Sequence, residues 1–193
     1  MIWPRRTCSV LLAGIGLALL AGCVTVSVPE ARQQSEAIAL AAKLCSLAPT
    51  VDPKEAAEAA EAAIRYPLQL AREYHATPPA SFNNFLINVG VHPRGLCFQW
   101  ADDLTVKLMT LRLRTLALHR GVARLGTRHE HSCVVLTANG QAFTNGIALD
   151  AWRYCGRLNW SLVTTDNYPW KEVELIPSYQ AELRAAADQQ SQR

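Results

Sequence analysis

Apolar residues change their period once along this chain, and that change limits the fold more than any single motif. From residue 30 to about 120 they recur every three to four positions, and after Gly126 they alternate. The first stretch predicts helices over 30–47 and 53–75, with Pro29 before the first and Pro49 and Asp52-Pro53 between them. Asp52 suits an N-cap, and Pro53 suits a first turn, where no amide hydrogen is needed. Alanine and glutamate dominate 53–75, while Pro67 should kink or divide it, because it removes a donor and crowds the carbonyl one turn back. Ser81 is expected to cap a short amphipathic piece ending near Gly90. From Leu96 to Arg120 the leucines predict a helix of about six turns that crosses the core. HSCVVLTA (131–138) then reads as a strand, Asn139-Gly140 as a hairpin turn, 141–152 as the return strand with an irregularity at Asn145-Gly146, and 157–165 as a third strand. Helices first and strands afterwards predict an α+β fold: a core helix packed on a small antiparallel sheet. The expected single domain covers 30–177, helical over 30–120 and sheet over 130–165, followed by a polar tail at 178–193.

The 193-residue length suits one domain, and the formal charge of +3, with no basic block, argues against nucleic acid. The first residues say more. Arg5 and Arg6 precede an apolar run too short for a convincing span, and the run closes in Leu20-Ala21-Gly22-Cys23. That ending resembles the lipobox of bacterial lipoproteins. The resemblance implies a signal peptide at 1–22, diacylglyceryl transfer to Cys23, and a lipidated tether at 23–29. The implied partner is the bilayer, since each buried methylene contributes about 0.8 kcal/mol to the anchor. Val24 stands where an aspartate signals inner-membrane retention in enteric bacteria, so the expected destination is the outer membrane, facing the periplasm.

Four cysteines remain after Cys23: Cys45, Cys97, Cys133 and Cys155. An oxidising compartment permits structural disulfides among Cys45, Cys133 and Cys155, and one between Cys133 and Cys97 would hold the latter inactive. Cys97 draws attention because Gly95 precedes it and a helix follows. A helix N-terminus carries about half a positive charge, which favours thiolate over thiol. His131 opens the first expected strand and Asp150 lies near the end of the next, so a hairpin can set them side by side. An imidazole would move the proton and a carboxylate would orient the ring. Backbone amides at the helix start would receive an oxyanion, worth on the order of 3 kcal/mol per donor.

Rival residues exist. His129, His119, His92 and His75 compete with His131, and Asp102 and Asp103 with Asp150. The two helical aspartates read as an exposed acidic face, whereas Asp150 among apolar neighbours calls for a partner. His129, His131 and Cys133 alternate along one strand as zinc ligands would, although three from one strand fit a tetrahedron poorly. Trp100 and Trp152 are candidate cleft residues.

Region 94–152 resembles the transglutaminase-like branch of the papain-like cysteine enzymes. There a loop with Gly and Cys leads into the core helix, a His begins a strand, and an Asp ends the next, near a Trp. The resemblance implies Cys97 as nucleophile, His131 as general base and Asp150 as orienting acid, without metal or organic cofactor. It further implies a thiol hydrolase acting through a thioester on peptide or protein substrates of the cell envelope. The chain departs from the pattern with Ser132 and Cys133 after the histidine and no Gln just upstream of Cys97. The competing expectation is a non-catalytic envelope lipoprotein that uses the same fold as a binding module, its cysteines in disulfides.

Overall fold

The structure, a computed structural model, describes residues 26–175; the leader 1–22, Cys23 and the tail 178–193 lie outside them. It is α+β. Four helices come first: α1 Glu30–Cys45, α2 Pro53–Glu73, α3 Ala80–Asn88 and α4 Cys97–Met109. Five strands follow: β1 Leu116–Ala123, β2 His131–Ala138, β3 Ile147–Asp150, β4 Asn159–Leu162 and β5 Lys171–Val173. They form one antiparallel sheet in the order β4-β3-β2-β1-β5. None of the described helices is long and apolar enough to cross a membrane.

The amphipathic helices cover one face of the sheet. Leu104 and Leu108 of α4 and Leu40 and Leu44 of α1 join Val134, Leu136 and Ala138 of β2 in one core. The alternate residues Cys133 and Val135 face a second, smaller core with Phe143, Val163 and Trp170. β2 is therefore buried along its whole length, which accounts for its near-continuous apolar sequence.

Several expectations are met. Asp52 caps α2, its carboxylate accepting from the Lys54 amide at 2.8 Å, and Pro53 occupies the first turn. Others are corrected. α3 starts at Ala80 after Pro79, with no side-chain cap from Ser81. α2 continues past Pro67 as one helix, because packing against both α1 and α4 holds it across the missing hydrogen bond. The return strand over 141–152 is instead a 3₁₀ turn, Phe143–Asn145, leading into the short β3.

The largest correction concerns the six-turn helix over 96–120, and with it the helical boundary at 120. α4 stops at Met109, Arg112 takes a left-handed conformation (φ 53°), and 116–123 is a strand. β1 pairs with β2 from Leu116↔Ala138 to Ala123↔His131, and β5 adds to its other side, so the sheet reaches beyond the expected 130–165. The local leucine spacing fits a helix, but eight residues of pairing and one carboxylate override it. Glu55, in the first turn of α2, accepts from the amides of Arg114, Thr115 and Leu116 at 2.8–2.9 Å and from the Thr115 hydroxyl at 3.0 Å. Those bonds catch the chain where the strand begins.

Burial works to raise the Glu55 pKa, yet the four hydrogen bonds outweigh it and hold the carboxyl below its usual range. A depressed carboxyl stabilises the fold above the unfolded value near 4.5 and loses that contribution as pH falls through the folded value. Glu55→Ala should destabilise the protein by roughly 1–2 kcal/mol near neutral pH. In urea titrations the gap from wild type should narrow as pH drops below 4.5.

Candidate active site

Gly95 sets the entry to α4. Its φ is 122°, and a Cβ there would lie 2.8 Å from the Asn83 amide nitrogen, so both conformation and space require glycine. Trp100 Nε1 donates to the Gly95 carbonyl at 2.8 Å, and Gln99 Oε1 accepts from the amides of Gly95 and Leu96 at 2.8 and 3.0 Å. The turn is thus fastened from inside the helix that follows it. Trp100 is 1% exposed and belongs to the core, so it shapes this turn and lines no cleft.

Below the first turn, the Arg120 guanidinium from β1 donates to Asp102 at 2.5 Å and to the Phe98 carbonyl at 3.3 Å. Asp102 is therefore a buried ion-pair partner and not part of an exposed acidic face. Asp103 accepts from Arg94 at 2.9 Å and from the Tyr74 hydroxyl. These bonds fix α4 against the sheet and leave Cys97 as its first residue, half-buried, with Sγ 3.7 Å from the Glu130 carbonyl. The amides of Cys97 and Phe98 are first-turn donors with no carbonyl to reach within the helix.

Glu130 immediately precedes His131, which opens β2 and is 2% exposed. Its Nε2 donates to Asp150 Oδ2 at 2.7 Å, an assignment fixed by the carboxylate, which only accepts. The ring lies among Trp152, Tyr168 and Trp170, with centroids 4.6, 4.6 and 5.3 Å away. Burial disfavours a charge on this imidazole. The hydrogen bond and charge of Asp150, with those of Cys97, outweigh it and raise the pKa to about 9. Nδ1 is buried without a hydrogen bond of ordinary geometry, and it is the nitrogen left to exchange a proton with the thiol.

Asp150 is 1% exposed and well supplied with donors. Besides His131, Arg153 Nε donates to Oδ2 at 2.9 Å, and the amides of Trp152 and Arg153 donate to Oδ1 at 3.1 and 3.2 Å. Arg153 continues to both oxygens of Asp166 at 3.0 and 3.2 Å and stacks on Tyr168. Asp166 also accepts from the Ser161 hydroxyl at 2.5 Å and the Tyr168 amide at 2.9 Å.

Cys97, His131 and Asp150 are thus gathered, and the other candidates are engaged elsewhere. His119 lies between Glu172 and Thr137, His92 bonds Asn83, and His75 and His129 are exposed. His129 and a fully buried Cys133 make no ligand set with His131. Among the described residues, no three His, Cys, Asp or Glu side chains form a metal-binding group. Trp152 is half-buried beside His131, its indole donating to Asn84 at 3.0 Å.

Cys45, Cys97, Cys133 and Cys155 are free thiols, so none of the disulfides that an oxidising compartment would permit among them is formed. The sheet separates Cys133, in the smaller core, from Cys45 and Cys155, which border the helical one. Burial pushes Cys133 well above its usual pKa and Cys155 up to about 11.

Sequence reasoning missed Arg153, Asp166 and Tyr168. Only Arg153, three residues after Asp150, carried a usable signal. A cavity of about 820 Å³ runs along α2 past Arg65 and Lys107 and touches none of this constellation. No family model, curated protein or solved structure matches the chain.

The His131 pKa gives a signed test. A raised imidazole contributes stability that is complete below about 6.5 and lost as pH rises through about 9. NMR titration of the His131 ring should show a midpoint near 9, falling in Asp150→Asn. Wild-type thermal stability should decline over the same window, and His131→Gln should remove that dependence.

Proposed function

We propose that this chain is a lipid-anchored thiol hydrolase of the papain-like, transglutaminase-like kind, with Cys97, His131 and Asp150 as its triad. The observation that carries the reading is the buried His131, held by Asp150 at 2.7 Å while Cys97 contributes to keeping the ring protonated. An imidazolium is the counterion a nucleophilic thiolate needs.

The steps follow from those positions. Cys97 Sγ attacks an amide or ester carbonyl carbon, and the π electrons move onto its oxygen. The amides of Cys97 and Phe98 are placed to donate to that oxyanion. As the tetrahedral intermediate collapses, the bond to the leaving amine or alcohol breaks and His131 Nδ1 supplies its proton, leaving a thioester on Cys97. His131 then takes a proton from water, the hydroxide attacks the thioester carbonyl, and collapse of this second intermediate breaks the C–S bond, releasing the carboxylic acid and restoring the Cys97 thiolate beside the His131 imidazolium. Asp150 stays ionised and keeps Nε2 protonated and oriented throughout. Arg153 is a positioning residue, since it reaches the reacting atoms only through Asp150.

Water is the favoured acceptor, because no feature here marks an amine-binding site, and envelope peptides are the favoured substrates. Lipidation of Cys23 would hold the enzyme on the periplasmic side of the outer membrane. The reading predicts turnover of short peptide esters and amides, with a covalent acyl adduct on Cys97 visible by intact mass. Cys97→Ala should abolish both, and Asp150→Asn should lower kcat by roughly 10²–10⁴ with the fold retained. A folded wild-type protein that forms no adduct with any peptide ester would favour the binding-module alternative.

A further inference from the structure

Arginines packed beneath and beside the candidate active site are each answered by a carboxylate. Arg153 is held between Asp150 and Asp166, Arg120 pairs with Asp102, and Arg94 pairs with Asp103. Arg124 is different. It is exposed, and among the described residues no carboxylate pairs with it. Its guanidinium carbon lies over the Tyr168 ring, 5.5 Å from the centroid, and the same ring is 4.6 Å from the His131 imidazole.

The backbone explains why this side chain is at the site. β1 ends at Ala123, which pairs with His131. The chain therefore leaves the sheet at Arg124 beside Glu130, whose carbonyl meets Cys97 Sγ at 3.7 Å. Arg124 makes that turn in the left-handed region, at φ 55°, where a side chain crowds its own backbone. Thr127 holds it there, amide and hydroxyl donating to the Arg124 carbonyl at 3.1 and 2.8 Å. Strain of this kind is concentrated at ligand-binding positions. The Glu130 carboxylate, in the same loop, is turned onto the Gly126 amide at 2.7 Å and not onto Arg124. With Arg128, the loop over 124–130 carries more positive charge than negative. A guanidinium stacked on an aromatic ring keeps N–H groups free at its edge, and their fork matches the two oxygens of a carboxylate.

We propose that Arg124 receives a carboxylate of the substrate, which makes the Cys97 site selective for acidic peptides. This rests on the hydrolase reading for its peptide ligand and adds the class of peptide. Tyr168 links the two ends of the site, since one ring supports both the guanidinium and the imidazole. A peptide whose carbonyl lies at Cys97 can then set a neighbouring carboxylate on Arg124. An acidic side chain or a free C-terminus supplies that group.

The test reads binding apart from turnover, in the full chain carrying Cys97→Ala. The probes are an acetylated alanine tetrapeptide amide with Glu at its second position, its Gln counterpart, and the Gln peptide with a free C-terminal carboxylate. Dissociation constants come from NMR titration at low salt. At least one carboxylate peptide should bind about fivefold more tightly than the neutral one, and which of the two does so identifies the source of the group. The advantage should shrink as salt is added. Arg124→Gln should bring the ratio to about one, Arg124→Lys should keep part of it, and Arg128→Gln should leave it in place. A ratio of about one in the parent protein, no binding of either acidic peptide, or a ratio that survives Arg124→Gln overturns the proposal. Adduct formation on wild-type Cys97 with a peptide ester, read by intact mass, tests the hydrolase reading separately. An adduct without carboxylate preference overturns only the role of Arg124. Preference through Arg124 without any adduct supports the carboxylate site and overturns the hydrolase.

Discussion

A carboxylate taken out of water is costly unless donors replace its hydration, and Asp150 is almost completely buried. Four donors converge on its two oxygens: the His131 ring, the Arg153 guanidinium and two amides of the turn that follows β3. The local architecture follows from meeting that demand. The turn must wrap back so that its amides face Oδ1, and Arg153 must lie flat on Tyr168 to reach Oδ2. Asp166 must then neutralise Arg153. His131 donates to the same oxygen as Arg153, Oδ2, and three aromatic rings close around its imidazole. The site is a chain of satisfied charges, each link setting the orientation of the next.

The helical layer contributes the thiol through a separate set of constraints. Gly95 turns the chain, Gln99 and Trp100 hold the turn, and Arg120 ties the first turn of α4 to β1 through Asp102 and the Phe98 carbonyl. Breaking this buried pair by removing one partner would strand a charge, so its main effect is to fix where α4 begins. The two sets meet at Glu130 and His131, where the backbone carbonyl lies beside Cys97 Sγ and the imidazole follows. A thiol from one layer and an imidazole from the other are thereby brought together without any local sequence contact.

Much of this could be read from the sequence where local rules act alone. The cap at Asp52 and the strand at 131–138 rest on short-range patterns that the fold preserves, while Cys97, His131 and Asp150 stand out by their order along the chain and meet only through the packing of α4 on the sheet. Distance along the chain hid the rest. The 96–120 stretch has leucines at helical spacing, and only the amide-catching Glu55, about sixty positions earlier, and the pairing with β2 turn its end into β1. Asp102 looked like surface charge because its partner Arg120 lies on another element. Arg153 and Asp166 were invisible as a pair, since neither sits in a motif and their meeting depends on how the loop after β3 folds back. Trp100 looked like part of a cleft because aromatic rings near a nucleophile suggest substrate, whereas its indole serves the Gly95 carbonyl.

Whether Cys97 behaves as half of an ion pair is decided most directly by its alkylation rate. The native full chain would be treated with iodoacetamide near pH 6 and each cysteine followed by peptide mass spectrometry, in wild type and in His131→Ala. Cys97 should be modified well before Cys45, Cys133 and Cys155, and its rate should drop by at least about tenfold when the imidazole is removed. Equal, slow labelling of Cys97 in both proteins would contradict the account.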